Sequence, residues 1–115
     1  MVLVLQVNSK NFYHIRTGKK TIDYRNIVSV YTEMFEQFFN FTYRNGFIIQ
    51  NNAIVDCTKP KWIKFRHGYF SHWRSRHHKE IDALVSISID HGKQQYGGNP
   101  DIVYYVLTIH EIKET

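Results

Sequence analysis

One cysteine, Cys57, stands in a chain of 115 residues, so no disulfide can form within it and a reducing, cytoplasmic setting is expected. Six glycines and two prolines are too few for a collagen-like repeat or a low-complexity tail. The longest apolar runs, such as Val2 to Leu5 and Val103 to Leu107, fall far short of the roughly 20 residues that cross a bilayer, so no membrane partner is expected. Met1-Val2-Leu3-Val4-Leu5 has neither a basic flank nor a small-residue cleavage site and reads as a strand rather than a signal peptide. Acids are missing from residues 59 to 79, which hold Lys59, Lys61, Lys64, Arg66, Arg74, Arg76 and Lys79. Those seven come from a total of 15 basic residues, so the other eight face all ten acids and the net charge of +5 belongs to this stretch.

What is present suits a folded core. Hydrophobic residues make up 43% and aromatics 16%, enough to exclude intrinsic disorder, and the length fits a single domain over residues 1–115. Val2 to Val7 predicts a strand, and Asn8-Ser9 caps a short helix whose inner face is marked by Phe12, Ile15 and Arg16, ended by Gly18. In the next segment Ile22 and Tyr24 share one face and Thr21, Asp23 and Arg25 the other, a half-buried strand with a polar, charged face. Val28, Tyr31, Met34, Phe35, Phe38 and Phe39 recur at helical spacing. Residues 40 to 52 are open between a hairpin around Phe47 to Ile49, turned at Asn45-Gly46, and an extended loop. Lys61 to Arg66 alternates, with Ile63 and Phe65 inward and Trp62, Lys64 and Arg66 outward, until Gly68 ends it; Leu84 to Asp90 and Ile102 to Ile112 are the closing strands. Strands outnumber helices, which predicts a small mixed or antiparallel barrel with two helices.

The basic stretch also carries Trp62, Phe65, Tyr69, Phe70 and Trp73, a pattern that suits phosphate contacts and base stacking, or equally a solvated basic loop over core aromatics. Seven histidines, with His72, His77, His78 and Glu80 close together, raise a metal or nuclease hypothesis. No cysteine partners them and no helical His-Glu-x-x-His spacing occurs, so no metal site and no cofactor are expected. His67 or His72 with Lys64 or Arg66 would be the acid, base and phosphate contacts of a metal-free nuclease. Cys57 reads as a small buried residue rather than a nucleophile. Gly18-Lys19-Lys20-Thr21 is not a P-loop, because the Lys-Thr order is displaced by one and position 13 is Tyr.

Gly18-Lys19-Lys20-Thr21-Ile22-Asp23-Tyr24-Arg25, preceded by Phe12-x-x-Ile15-x-x-Gly18, resembles the signature of the ASCH domain, a branch of the PUA-like superfamily. Ile63-Lys64-Phe65-Arg66-His67-Gly68-Tyr69 resembles a strand and turn of the ASCH proteins carried by phages and prophages. A third block in that subgroup resembles Ile87 to Gly92, Tyr96-Gly97 and Val103 to Leu107, whereas residues 40 to 58 align with nothing. The resemblance implies an α+β fold, a PUA-like mixed/antiparallel β pseudo-barrel with two or three helices and a cleft beside the signature. It also implies RNA or a modified nucleotide as ligand, with Lys19, Lys20, Asp23 and Arg25 in the cleft and Trp62, Lys64, Arg66, Tyr69 and Trp73 flanking it. The alternatives are a hydrolase on RNA or a modified nucleoside, with Lys20 as its catalytic residue, and a phage-type protein that binds a host protein. In the amidohydrolase branch of the family the lysine is joined by a threonine three positions on and a later glutamate. Here Asp23 takes the threonine's place and no glutamate falls between Leu84 and Tyr105.

Overall fold

A computed structural model describes residues 2–69 and 77–114, with backbone alone at positions 68, 69, 77 and 78. The chain runs β1 (Val4–Gln6), α1 (Ser9–Arg16), β2 (Ile22–Asn26), α2 (Ser29–Phe39), β3 (Thr42–Arg44), β4 (Phe47–Gln50), β5 (Ala53–Val55), β6 (Lys61–Tyr69), β7 (His77–His91), one 3-10 turn (Gln94–Tyr96) and β8 (Val103–Glu114). The class is α+β: a curled, mixed five-stranded sheet in the order β1-β6-β7-β8-β2, with the three-stranded meander β3-β4-β5 beside it. Among the described residues only β1 and β6 run parallel; the other pairings of this sheet are antiparallel. No helix among the described residues is long and apolar enough to cross a membrane.

Local chemistry explains the elements that position the site. Asn8 caps α1, its side-chain oxygen accepting from the Asn11 amide at 2.8 Å, and Phe12 and Ile15 face the core, whereas Arg16, expected beside them, is exposed and pairs with Glu114. Gly18 takes a left-handed φ of 79° and its amide returns to the Ile15 carbonyl, after which the Lys20 amide donates to the His14 carbonyl at 3.0 Å. The chain therefore reverses tightly, and Lys20 arrives beside the end of α1.

In α2 the residues Phe35, Phe38 and Phe39 are buried, whereas Val28, expected on the inner face, is exposed. Val28 sits in extended backbone at the N-cap, before helical periodicity begins. Phe35 meets Tyr31 at 5.6 Å and stands edge-on to Tyr105 at 5.3 Å, so the aromatic stripe forms the centre of the core. Burial pushes the Tyr105 phenol above its ordinary range, against the opposing pull of its hydrogen bond with Thr32. Burying each such ring contributes about 1.5–3 kcal/mol.

Of the two readings of residues 40 to 52, the hairpin is the observed one, formed by β3 and β4, and β5 extends it into the meander. Positive φ at both Asn45 and Gly46, and at both Asn51 and Asn52, matches the twist that two-residue hairpins require. Cys57 is exposed rather than buried, because its segment bridges to the end of β7 at Ser88 with the side chain outward. Gly68 does not end β6: pairing with β7 continues through Gly68 and Tyr69. Between β7 and β8 the register slips where Leu84 faces Glu111 and Val85 faces Ile109, leaving His110 as a bulge residue that meets Ser86 Oγ at 2.8 Å.

The polar face of β2 is turned the other way from the expected one. Asp23 pairs with Leu107 and Arg25 with Tyr105, both fully buried, so Asp23 and Arg25 lie on the inner face of the curled sheet. Ile22, Tyr24 and Asn26 share the outer face with Thr108, Val106 and Tyr104. Alternation alone assigns the apolar side inward; ion pairing inside the curl reverses it.

Candidate functional site

Strands β1 and β2 are the two edges of the five-stranded sheet, and no backbone ladder joins them. Arg25 bridges the seam instead. Its Nη2 donates to the Gln6 carbonyl at 3.0 Å, its Nη1 to the Tyr31 hydroxyl at 3.1 Å and its Nε to Asp23 Oδ2 at 2.7 Å. Burial works against the charge on Arg25, but the carboxylate of Asp23 and the bonds to Asp23 and Tyr31 outweigh it, and the guanidinium holds its proton more firmly than a free arginine. Asp23 is 4% exposed and also faces Lys20, whose Nζ lies 3.6 Å from Oδ1. Two cations thus share one anion, and the cluster carries a net positive charge.

Lys20 differs from Arg25 in what remains unspent. Arg25 is held on three sides, while the Lys20 ammonium has one long ion pair and lines open space. That space is a cleft along the free edge of β2, between α1 and the 94–97 turn. One lobe of about 480 Å³ is bordered by Lys10, His14, Lys19, Lys20 and Tyr96. A second, of about 440 Å³, is bordered by Asn8, Arg25, Tyr31 and Tyr104, and the two share Asn11, Asp23, Tyr24 and Gly97. Tyr24 separates the lobes, its ring 4.9 Å from Tyr104 and its hydroxyl accepting from the Lys93 amide at 3.1 Å.

The turn fits against Tyr24 because two positions lack a side chain. A Cβ on Gly98 would lie 2.7 Å from the Tyr24 ring and from the Gly92 Cα, and one on Gly92 would lie 2.6 Å from the Asn99 backbone. Tyr96-Gly97-Gly98 is therefore a wall of the cleft, not only a turn.

No family model, curated protein or solved structure matches this chain.

The structure brings Lys19, Lys20, Asp23 and Arg25 together and sets Trp62, Lys64 and Arg66 apart. The last three lie on the outer face of β6, since their neighbours Ile63 and Phe65 fill the core. There Lys64 pairs with Asp82 at 2.7 Å and Arg66 pairs with Glu80. Lys113 stands 4.9 Å over the Trp62 ring, so that face is already occupied. Register places Glu111 on this face as well, giving three cations and three acids. Two of the basic residues of the stretch that lacks acids in sequence, Lys64 and Arg66, are thus balanced by acids of the hairpin partner β7. Lys61 is likewise engaged, donating to the Phe38 carbonyl at 2.8 Å. Trp73, the Tyr69 side chain and those of His72, His77 and His78 lie outside the described residues. Among the described residues no three His, Cys, Asp or Glu side chains gather as a metal ion requires.

Sequence reasoning missed Lys10, Asn11, His14 and Tyr96. A signal for the first three was present: residues 1 to 22 contain no acid, and Lys10, Arg16, Lys19 and Lys20 fall among them. Total charge concealed it, because the longer basic stretch dominates the count.

Proposed function

We propose that this chain is an ASCH-type, PUA-like domain of the kind carried by phages and prophages, working in the cytoplasm. In this reading it binds RNA or a nucleotide in the cleft along β2. The reading is supported by the path of Gly18 to Arg25, which leaves α1, reverses at Gly18 and runs along the cleft as the ASCH signature is expected to do. The single observation that carries it is Lys20: a half-engaged ammonium at the cleft mouth, backed by an Asp23–Arg25 pair that holds its position. Lys10, Lys19 and His14 add positive or hydrogen-bonding character, and Tyr24 and Tyr96 supply ring faces at the same opening. A phosphate at Lys20 gains charge-assisted hydrogen bonds, and a base beside it gains stacking. Asp23 and the fixed Arg25 restrict which polar groups fit behind the phosphate.

Binding is favoured over hydrolysis because the neighbour of Lys20 is a carboxylate, and no side-chain hydroxyl among the described residues bonds to it. The test is a titration of labelled single-stranded RNA, duplex RNA and single-stranded DNA at two salt concentrations, each sample then run on a denaturing gel. Salt-sensitive binding of intact strands that weakens about tenfold or more in Lys20→Ala is expected. Cleaved strands favour the hydrolase, and salt-insensitive capture of a protein with no nucleic-acid binding favours the interaction protein.

A further inference from the structure

A second cavity, of about 380 Å³, lies on the far side of α1, where the helix meets β6 and the start of β7. Lys10, Tyr13, His14, Arg16, His67 and Lys79 border it, and no acid among the described residues does. Lys10 and His14 border the β2 cleft too, so these residues, one helical turn apart, form a ridge shared by both openings. Phe12 closes the floor, its ring 6.1 Å from that of His67. Arg16 has one anionic partner, Glu114, at 3.6 Å; both side chains are well exposed, and such a pair is readily exchanged for another anion. The contrast with the outer face of β6 is one of balance: there three cations meet three acids, whereas here Lys10, Arg16 and Lys79 border one opening and, among the described residues, Glu114 is the acid paired with them.

We propose that this groove is a second phosphate subsite, and that the ligand of the β2 cleft is a single-stranded nucleic acid that crosses α1 at Lys10 and His14 and sets a neighbouring phosphodiester between Arg16 and Lys79. The inference rests on the proposed function, and it changes the ligand from a nucleotide to a strand. Tyr13 faces the same opening beneath the Arg16 guanidinium, 5.5 Å from its ring, and gives a flat apolar wall without reading a base. Recognition at this subsite is therefore electrostatic and independent of sequence.

The experiment is displacement of a labelled, mixed-sequence RNA octamer from the full chain. The competitors are ribonucleoside monophosphates, unlabelled di-, tetra- and octanucleotides, and an acidic peptide of equal charge. Tetra- and octanucleotides are expected to compete about tenfold or more better than monophosphates, because the second subsite acts at high effective concentration. Arg16→Glu with Lys79→Glu is expected to weaken octamer binding about fivefold or more and flatten its salt dependence, while monophosphate competition is unchanged. Both side chains are exposed, and the milder Lys79→Ala gives a smaller loss in the same direction. Equal competition by all lengths, an octamer affinity indifferent to the double variant, or equal competition by the acidic peptide overturns the proposal. If monophosphates still bind and depend on Lys20, the cleft survives and the groove does not. Octamer binding lost in the double variant but untouched by Lys20→Ala retains the groove and removes the cleft. Absence of octamer binding removes both.

Discussion

Two clusters of charge and aromatic rings stand on opposite faces of one sheet. On the inner face Asp23 and Arg25 are largely buried, and with Lys20 at the edge of the cleft two cations share a single acid. On the outer face Lys64, Arg66 and Lys113 meet Asp82, Glu80 and Glu111 in equal number, in contact with solvent. Composition does not separate them; curvature does. A pair inside the curl loses its hydration and must be satisfied by protein partners, whereas a pair outside is screened by water and salt. An unequal, rigid cluster beside a cleft has charge left for a ligand, and a balanced, solvated ladder has little.

Removing the acid on each face separates the two clusters by their energetics. Asp23→Ala leaves Lys20 and Arg25 facing each other without their anion, and a loss of about 3–5 kcal/mol is expected in urea unfolding. A loss below about 1 kcal/mol would show that water already satisfies the cluster. Gly98→Ala tests the wall of the cleft. Its methyl group must displace Tyr24 or the backbone at Gly92, so a cost of about 1–3 kcal/mol is expected, with a changed near-ultraviolet signal from the Tyr24–Tyr104 pair. An unchanged spectrum would show that the turn moves freely away from Tyr24. The smallest effect belongs to the outer face: Asp82→Ala should cost about 0–1 kcal/mol in the same unfolding experiment, and less at high salt.

How much of this was legible in the sequence depends on the range of the interactions involved. Local signals read true: Asn8 capping α1, Gly18 reversing the chain, Asn45-Gly46 turning a hairpin, and Ile63 and Phe65 alternating into the core. Each needs only neighbours a few residues away. The orientation of β2 was not legible, because Ile22 and Tyr24 outrank Asp23 in hydrophobicity while Asp23 is the buried residue. Its burial depends on Arg25, and Arg25 in turn depends on a hydroxyl from α2 and a carbonyl from β1. The neutrality of the β6 surface was hidden for the same reason, since Glu80 and Asp82 come back onto Arg66 and Lys64 only when the hairpin forms. Of the residues bordering the candidate cleft, Lys19, Lys20, Asp23 and Arg25 were singled out from the sequence; Lys10, His14 and Tyr96 join them through tertiary placement of α1 and the 94–97 turn.

The most direct test of the central claim is a map of backbone amide shifts in the ¹⁵N-labelled protein as single-stranded RNA is added. The account predicts changes centred on residues 19–24 and 95–97, largely lost in Lys20→Ala and retained in Lys64→Glu with Arg66→Glu. Changes confined to residues 61–66, or retained in Lys20→Ala, would contradict it.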